Sequence, residues 1–88
     1  MPYLDQGIRA SLNDGRKALK GGELNYQISK LLNDFVQMKG MSYATVNEAI
    51  GALTCAQLEF YRRVAAPYEG LKAIQNGEVY TCLDPKAD

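Results

Sequence analysis

The residues best suited to chemistry stand together in one stretch, Glu59-Phe60-Tyr61-Arg62-Arg63-Val64-Ala65-Ala66-Pro67-Tyr68-Glu69, with Lys72 just beyond it. On a helix, Glu59 lies beside Arg62 and Arg63, and a guanidinium fork grips a carboxylate or a phosphate through two parallel hydrogen bonds. Tyr61 and Tyr68 fall about two turns apart on roughly one face, where rings stack on a base or pack against another helix. Two readings of the arginines stand side by side: they pair with acids at a subunit interface, or they hold a phosphorylated ligand. Asn25 and Tyr26 near the start of a second helix, and Tyr43 ahead of a third, carry the same ambiguity. A tyrosine at a helix end either caps the core with a wet hydroxyl or touches ligand.

Much other chemistry is excluded by what the chain lacks. With no histidine, the commonest general base, the Ser-His and Cys-His nucleophile pairs and the usual metal constellations are absent together. Gly21-Gly22 follows a helix and precedes no Lys-Ser or Lys-Thr pair, so it is not a phosphate loop. Asp5, Asp14, Glu23, Asp34, Glu48, Glu59, Glu69 and Glu78 are scattered rather than paired. The expectation is a protein with no catalytic residue, no metal and no cofactor.

Ten basic and ten acidic residues give a formal net charge of zero, which argues against a general DNA-coating role, since that affinity comes from an excess of Lys and Arg. No DNA partner is expected. No segment approaches the ~20 apolar residues that span a bilayer, and Met1-Pro2-Tyr3-Leu4-Asp5 lacks the basic-then-apolar layout of a signal peptide. The expectation is a soluble, cytoplasmic protein with no membrane partner. Cys55 and Cys82 are then read as free thiols, with a structural disulfide between them as the minor alternative, and Cys55 as a small core residue.

These residues must be positioned by helices. In 88 residues there is room for one core, and the expected architecture is all-α: a single helical domain over 1–83 and a frayed tail over 84–88. Leu4, Ile8, Leu12 and Leu19 recur at nearly helical spacing in a weak first helix interrupted by Gly7 and Gly15. Lys17 and Lys20 suit its C-terminal dipole, and Gly21-Gly22 would end it. From Glu23 to Lys39, the positions Leu24, Ile28, Leu31, Leu32, Phe35 and Val36 form an amphipathic stripe closed by Lys39-Gly40. Met38 and Met41 read as core fillers.

Ser42 or Thr45 caps the third helix, and Thr45 with Glu48 has the capping-box spacing. Val46, Ala49, Ile50, Leu53, Ala56, Phe60 and Val64 form its stripe, with Leu58 and Tyr61 outside it, so this helix needs cover on more than one side. Pro67 either starts a new helix or sits at a kink in one long helix reaching about Gln75; the kinked helix is the preferred reading. Such a helix would be about 45 Å long, more than the ~30 Å width of a small domain, and its projecting part predicts a homo-oligomer. Asn76-Gly77 reads as a helix end, and Glu78-Val79-Tyr80-Thr81-Cys82-Leu83 as a short strand that lies over the helices or pairs with its copy.

Leu24-Asn25-Tyr26, Ser42-Tyr43-Ala44-Thr45-Val46-Asn47-Glu48-Ala49-Ile50-Gly51-Ala52-Leu53, the Glu59 to Glu69 stretch and Asn76-Gly77-Glu78-Val79-Tyr80 together resemble a family of small uncharacterised proteins common in phage genomes and prophages. The resemblance covers about two thirds of the chain. It implies phage origin and a compact accessory role in the bacterial host cytoplasm rather than a reaction. Small phage accessory proteins often disarm host defence, one way being a sponge: a homo-oligomer whose subunit interfaces hold a nucleotide-derived immune signal without cleaving it. On that analogy phosphates fall to Arg62, Arg63 and Lys72, and bases to Tyr61, Tyr68 or Tyr80. Asn25 or Asn76 would read base edges or ribose hydroxyls, with Tyr26 a further contact. The alternative is a protein-interaction module that inhibits a host protein or serves as a small virion or replication component, with the same tyrosines and arginines as interface hot spots.

Overall fold

The structure, a computed structural model, describes residues 2–82. Among them all regular structure is helical: α1 (Gln6–Asn13), α2 (Gly21–Lys39), and a third run made of α3 (Tyr43–Phe60), a π turn (Tyr61–Ala65) and α4 (Ala66–Asn76). The expected domain limit at residue 83 and the tail over 84–88 lie outside the described residues. Contacts divide the chain into two units, one ending at Ile50 and the other beginning at Gly51.

In the first unit, Asp5 caps α1 by accepting the Ile8 N–H at 2.9 Å. The helix ends well before the expected glycine pair. Gly15 takes φ +105°, a conformation open to glycine, and the Gly15 and Arg16 amides donate back to Leu12 and Ser11 at 3.1 Å each. Lys17, Leu19 and Lys20 therefore belong to a link, and Gly21-Gly22 opens α2 instead of closing α1.

What permits a helix to begin on two glycines is Glu23. Its carboxylate accepts the Leu19 N–H at 2.9 Å and both terminal nitrogens of Arg16 at 3.3 and 3.1 Å. Glu23 is buried, and the Arg16 hydrogen bonds, then the Leu19 amide, hold its carboxyl below the usual value. Glu23 stands where the acid of a capping box would, but it accepts the amide of Leu19, one residue before the Lys20 cap, and Lys20 makes no side-chain cap bond.

The end of α2 is where the spacing predicts it, at Lys39, with Gly40 at φ +91° and its amide on the Val36 carbonyl at 2.7 Å. Ser42, one of the two expected caps, starts α3 by accepting the Thr45 N–H at 3.1 Å. The Thr45–Glu48 capping box does not form: Thr45 already lies inside α3, and Glu48 pairs with Lys39 at 3.0 Å across the turn.

In the second unit the helical path continues past Pro67. Ala66 donates its N–H to the Tyr61 carbonyl five residues back, and this widened turn ends just before the proline, whose ring would otherwise press on the Arg63 carbonyl. α4 ends at Asn76, and Gly77 at φ +94° returns its amide to the Ala73 carbonyl at 2.9 Å. The expected strand over Glu78–Leu83 is absent as far as Cys82; Leu83 lies outside the described residues. Glu78 instead gathers the Val79 and Tyr80 amides on one carboxylate oxygen at 2.9 Å each, and a lone extended segment has no sheet to join.

Buried residues among those described are Leu12, Glu23, Thr45 and Ala49. The expected α2 core stripe is only partly covered, because α1 spans two turns: Leu32, Phe35 and Val36 are half-buried, whereas Leu24, Ile28 and Leu31 are exposed. Met38 and Met41 are exposed and fill no core, and Cys55 is an exposed free thiol rather than a core residue. No described helix is long and apolar enough to cross a membrane.

Candidate functional site

The second unit brings five of the nine expected ligand residues to one groove. Tyr61, Tyr68, Lys72, Asn76 and Tyr80 line a cleft of about 650 Å³, within the range that takes a small organic molecule. The π turn sets their register. It adds one residue to a turn, so positions eight apart across it align as positions seven apart do on a regular α-helix, on one face. Tyr61 therefore faces Glu69, and its hydroxyl donates to the Glu69 carboxylate at 3.1 Å. That bond, then the charge of the same carboxylate, raises the Tyr61 phenol above its ordinary value.

Lys72 stands with its ammonium 5.7 Å from the centroid of the Tyr68 ring, at cation–π distance. Gly77 turns the chain so that Glu78, Val79 and Tyr80 close the far wall. The lining thus holds three phenol rings, one amide, one cation and two carboxylates, Glu69 and Glu78. Its strength is aromatic surface, and its charge leans acidic.

Arg62 and Arg63 are not in that lining. Both turn to Glu59, at 2.8 and 3.2 Å, a pairing made within one helix. Asn25 and Tyr26 belong to the first unit. Asn25 accepts the Ser29 hydroxyl at 3.3 Å. Tyr26 donates to Asn13 at 3.1 Å and faces a separate groove between α1 and α2. Tyr43 is exposed and adjoins the small apolar hollow of Met41 and Val46.

Sequence reasoning missed the two carboxylates of the tyrosine groove. The Tyr61–Glu69 pair spans a register that regular helical spacing does not align, and only Pro67 hinted at a departure from it. Missed too were Arg9 and Lys30 beside Tyr26, since Arg9 sits on a helix whose start lacked a strong pattern. Among the described residues no group of three acids or thiols is placed to hold a metal ion.

No curated protein and no solved structure matches the chain. A family model does, over residues 1–79, so the span it covers includes the first unit and the second unit with its tyrosine groove as far as Val79. The chain belongs to the family described as Domain of unknown function (DUF6899).

Proposed function

We propose that the protein is a non-catalytic binding protein that captures a nucleotide-derived small molecule in the tyrosine groove and works as a homo-oligomer. The observation that carries the reading is the convergence of Tyr61, Tyr68, Tyr80, Lys72 and Asn76 on one cleft. A base stacks on the phenol rings, Asn76 meets its polar edge, and Lys72 takes one phosphate oxygen. Glu69 and Glu78 limit the negative charge the cleft tolerates, so the ligand carries few phosphates for its aromatic surface. The resemblance to small phage proteins supplies the setting, an accessory role against a host immune signal.

What supports an oligomer is that no described residue of the second unit, 51–82, is buried. An isolated helix in water is marginal, and helices owe their stability to packing of an apolar face. Leu53 and Phe60, seven apart on α3, and Val64 just beyond are all exposed and form the stripe a second copy would cover.

Calorimetric titration with cyclic oligonucleotides and ADP-ribose derivatives tests the reading. One member should bind, Tyr68→Ala should weaken it by about tenfold or more through lost stacking, and Arg62→Ala should leave it within about twofold. Failure of every member to bind would overturn it. The same exposed stripe favours a second reading, a module that coats a host protein; it predicts no small-molecule binding and loss of partner capture in Phe60→Glu.

A further inference from the structure

The groove between α1 and α2 has the opposite electrostatic character and carries an inference independent of the tyrosine groove. It encloses about 630 Å³, and its lining includes Arg9, Lys30, Tyr26, Tyr3, Asn33 and Gln6 but no carboxylate. Arg9 is half-buried and is held by its Nε, which donates to the Leu4 carbonyl at 2.8 Å. Its two terminal nitrogens have no hydrogen-bond or ion-pair partner among the described residues, so the residue brings unused fork donors to the groove it lines. The guanidinium lies 5.8 Å from the centroid of the Tyr26 ring, and that ring is fixed by its hydroxyl on Asn13 at 3.1 Å. Lys30 is bound to Asp34 at 2.9 Å with both side chains nearly half exposed. Such an exposed pair is worth little, and Lys30 can exchange it for an anion in the groove.

We propose that this groove binds a phosphomonoester whose molecule also carries a planar ring, with a nucleoside monophosphate, phosphate at one end of its sugar and base at the other, as the representative ligand. The Arg9 fork takes two phosphate oxygens and Lys30 a third. Tyr26 and Tyr3 offer the surface for the ring, and the Asn33 and Gln6 amides meet its polar edge. Two cations facing no lining carboxylate match a phosphate dianion, which the tyrosine groove with its two acids does not.

Titration of the full chain with adenosine 5′-monophosphate, adenosine and inorganic phosphate tests this. The monophosphate should bind at least about tenfold more tightly than either fragment, because ring and phosphate are held together. Arg9→Lys, which keeps the charge but loses the fork, should weaken it by about tenfold, and Lys30→Gln, on an exposed side chain, by about threefold. Tyr68→Ala should change nothing, which separates this site from the tyrosine groove. No binding of the monophosphate, or binding indifferent to both Arg9→Lys and Lys30→Gln, would overturn the proposal. Loss in Tyr68→Ala alone would place the ligand in the other groove and overturn it equally.

Discussion

The two units spend their carboxylates differently. In residues 2–50, Glu23 is buried and gathers partners from the link ahead of α2, while Glu48 reaches back to Lys39 across a turn. These bonds tie one helix to the next segment. In residues 51–82, Glu59, Glu69 and Glu78 are all exposed, and each bonds only to neighbours on its own helix or its own short segment. Local bonds of that kind shape a surface without holding it against anything. The first unit is therefore locked by polar contacts, and the second is a shaped but uncovered face.

The comparison can be broken most severely at the uncovered face. Phe60→Glu places a charge in the middle of the Leu53, Phe60, Val64 stripe. It should convert the oligomer to monomer in sedimentation experiments at micromolar concentration, because a buried unpaired charge costs several kcal/mol. An oligomer that survives this change would mean that the stripe is not the contact.

A smaller effect is expected at the lock of the first unit. Glu23 titrates near 4.5 when the chain is unfolded and lower when folded. Its stabilising contribution is thus complete above 4.5 and is lost as pH falls through the folded value. The melting temperature should drop by several degrees as pH is lowered into that window, and Glu23→Gln should already be lowered at neutral pH and show a flatter acid dependence. An unchanged acid profile in the variant would show that the Arg16–Glu23 bond locks nothing.

Much of the helical pattern was legible because it is local. Lys39-Gly40 and Asn76-Gly77 mark helix ends by the conformational freedom of glycine, and Ser42 marks a start by its hydroxyl. Where the reading failed, a longer-range interaction decided. Gly21-Gly22 looks like a stop until Glu23 is seen gathering Arg16 and Leu19, a bond between side chains seven residues apart. Cys55 and Met38 lie in apolar sequence and read as core, yet an apolar side chain is buried only where another element covers it. The tyrosine groove was half legible: residue types picked out Tyr61, Tyr68, Lys72, Asn76 and Tyr80, but the same logic chose Arg62 and Arg63. Glu59, three and four residues away on the same helix, engages both.

The central claim is that an assembly of this chain holds an intact nucleotide-derived molecule in the tyrosine groove. Native mass spectrometry of the protein purified from cells, alone and mixed with the cyclic oligonucleotide and ADP-ribose panel, tests it most directly. The account predicts an oligomer carrying a discrete, unaltered ligand mass that disappears in Tyr68→Ala while the oligomer remains. A chain that carries nothing across the whole panel would contradict it.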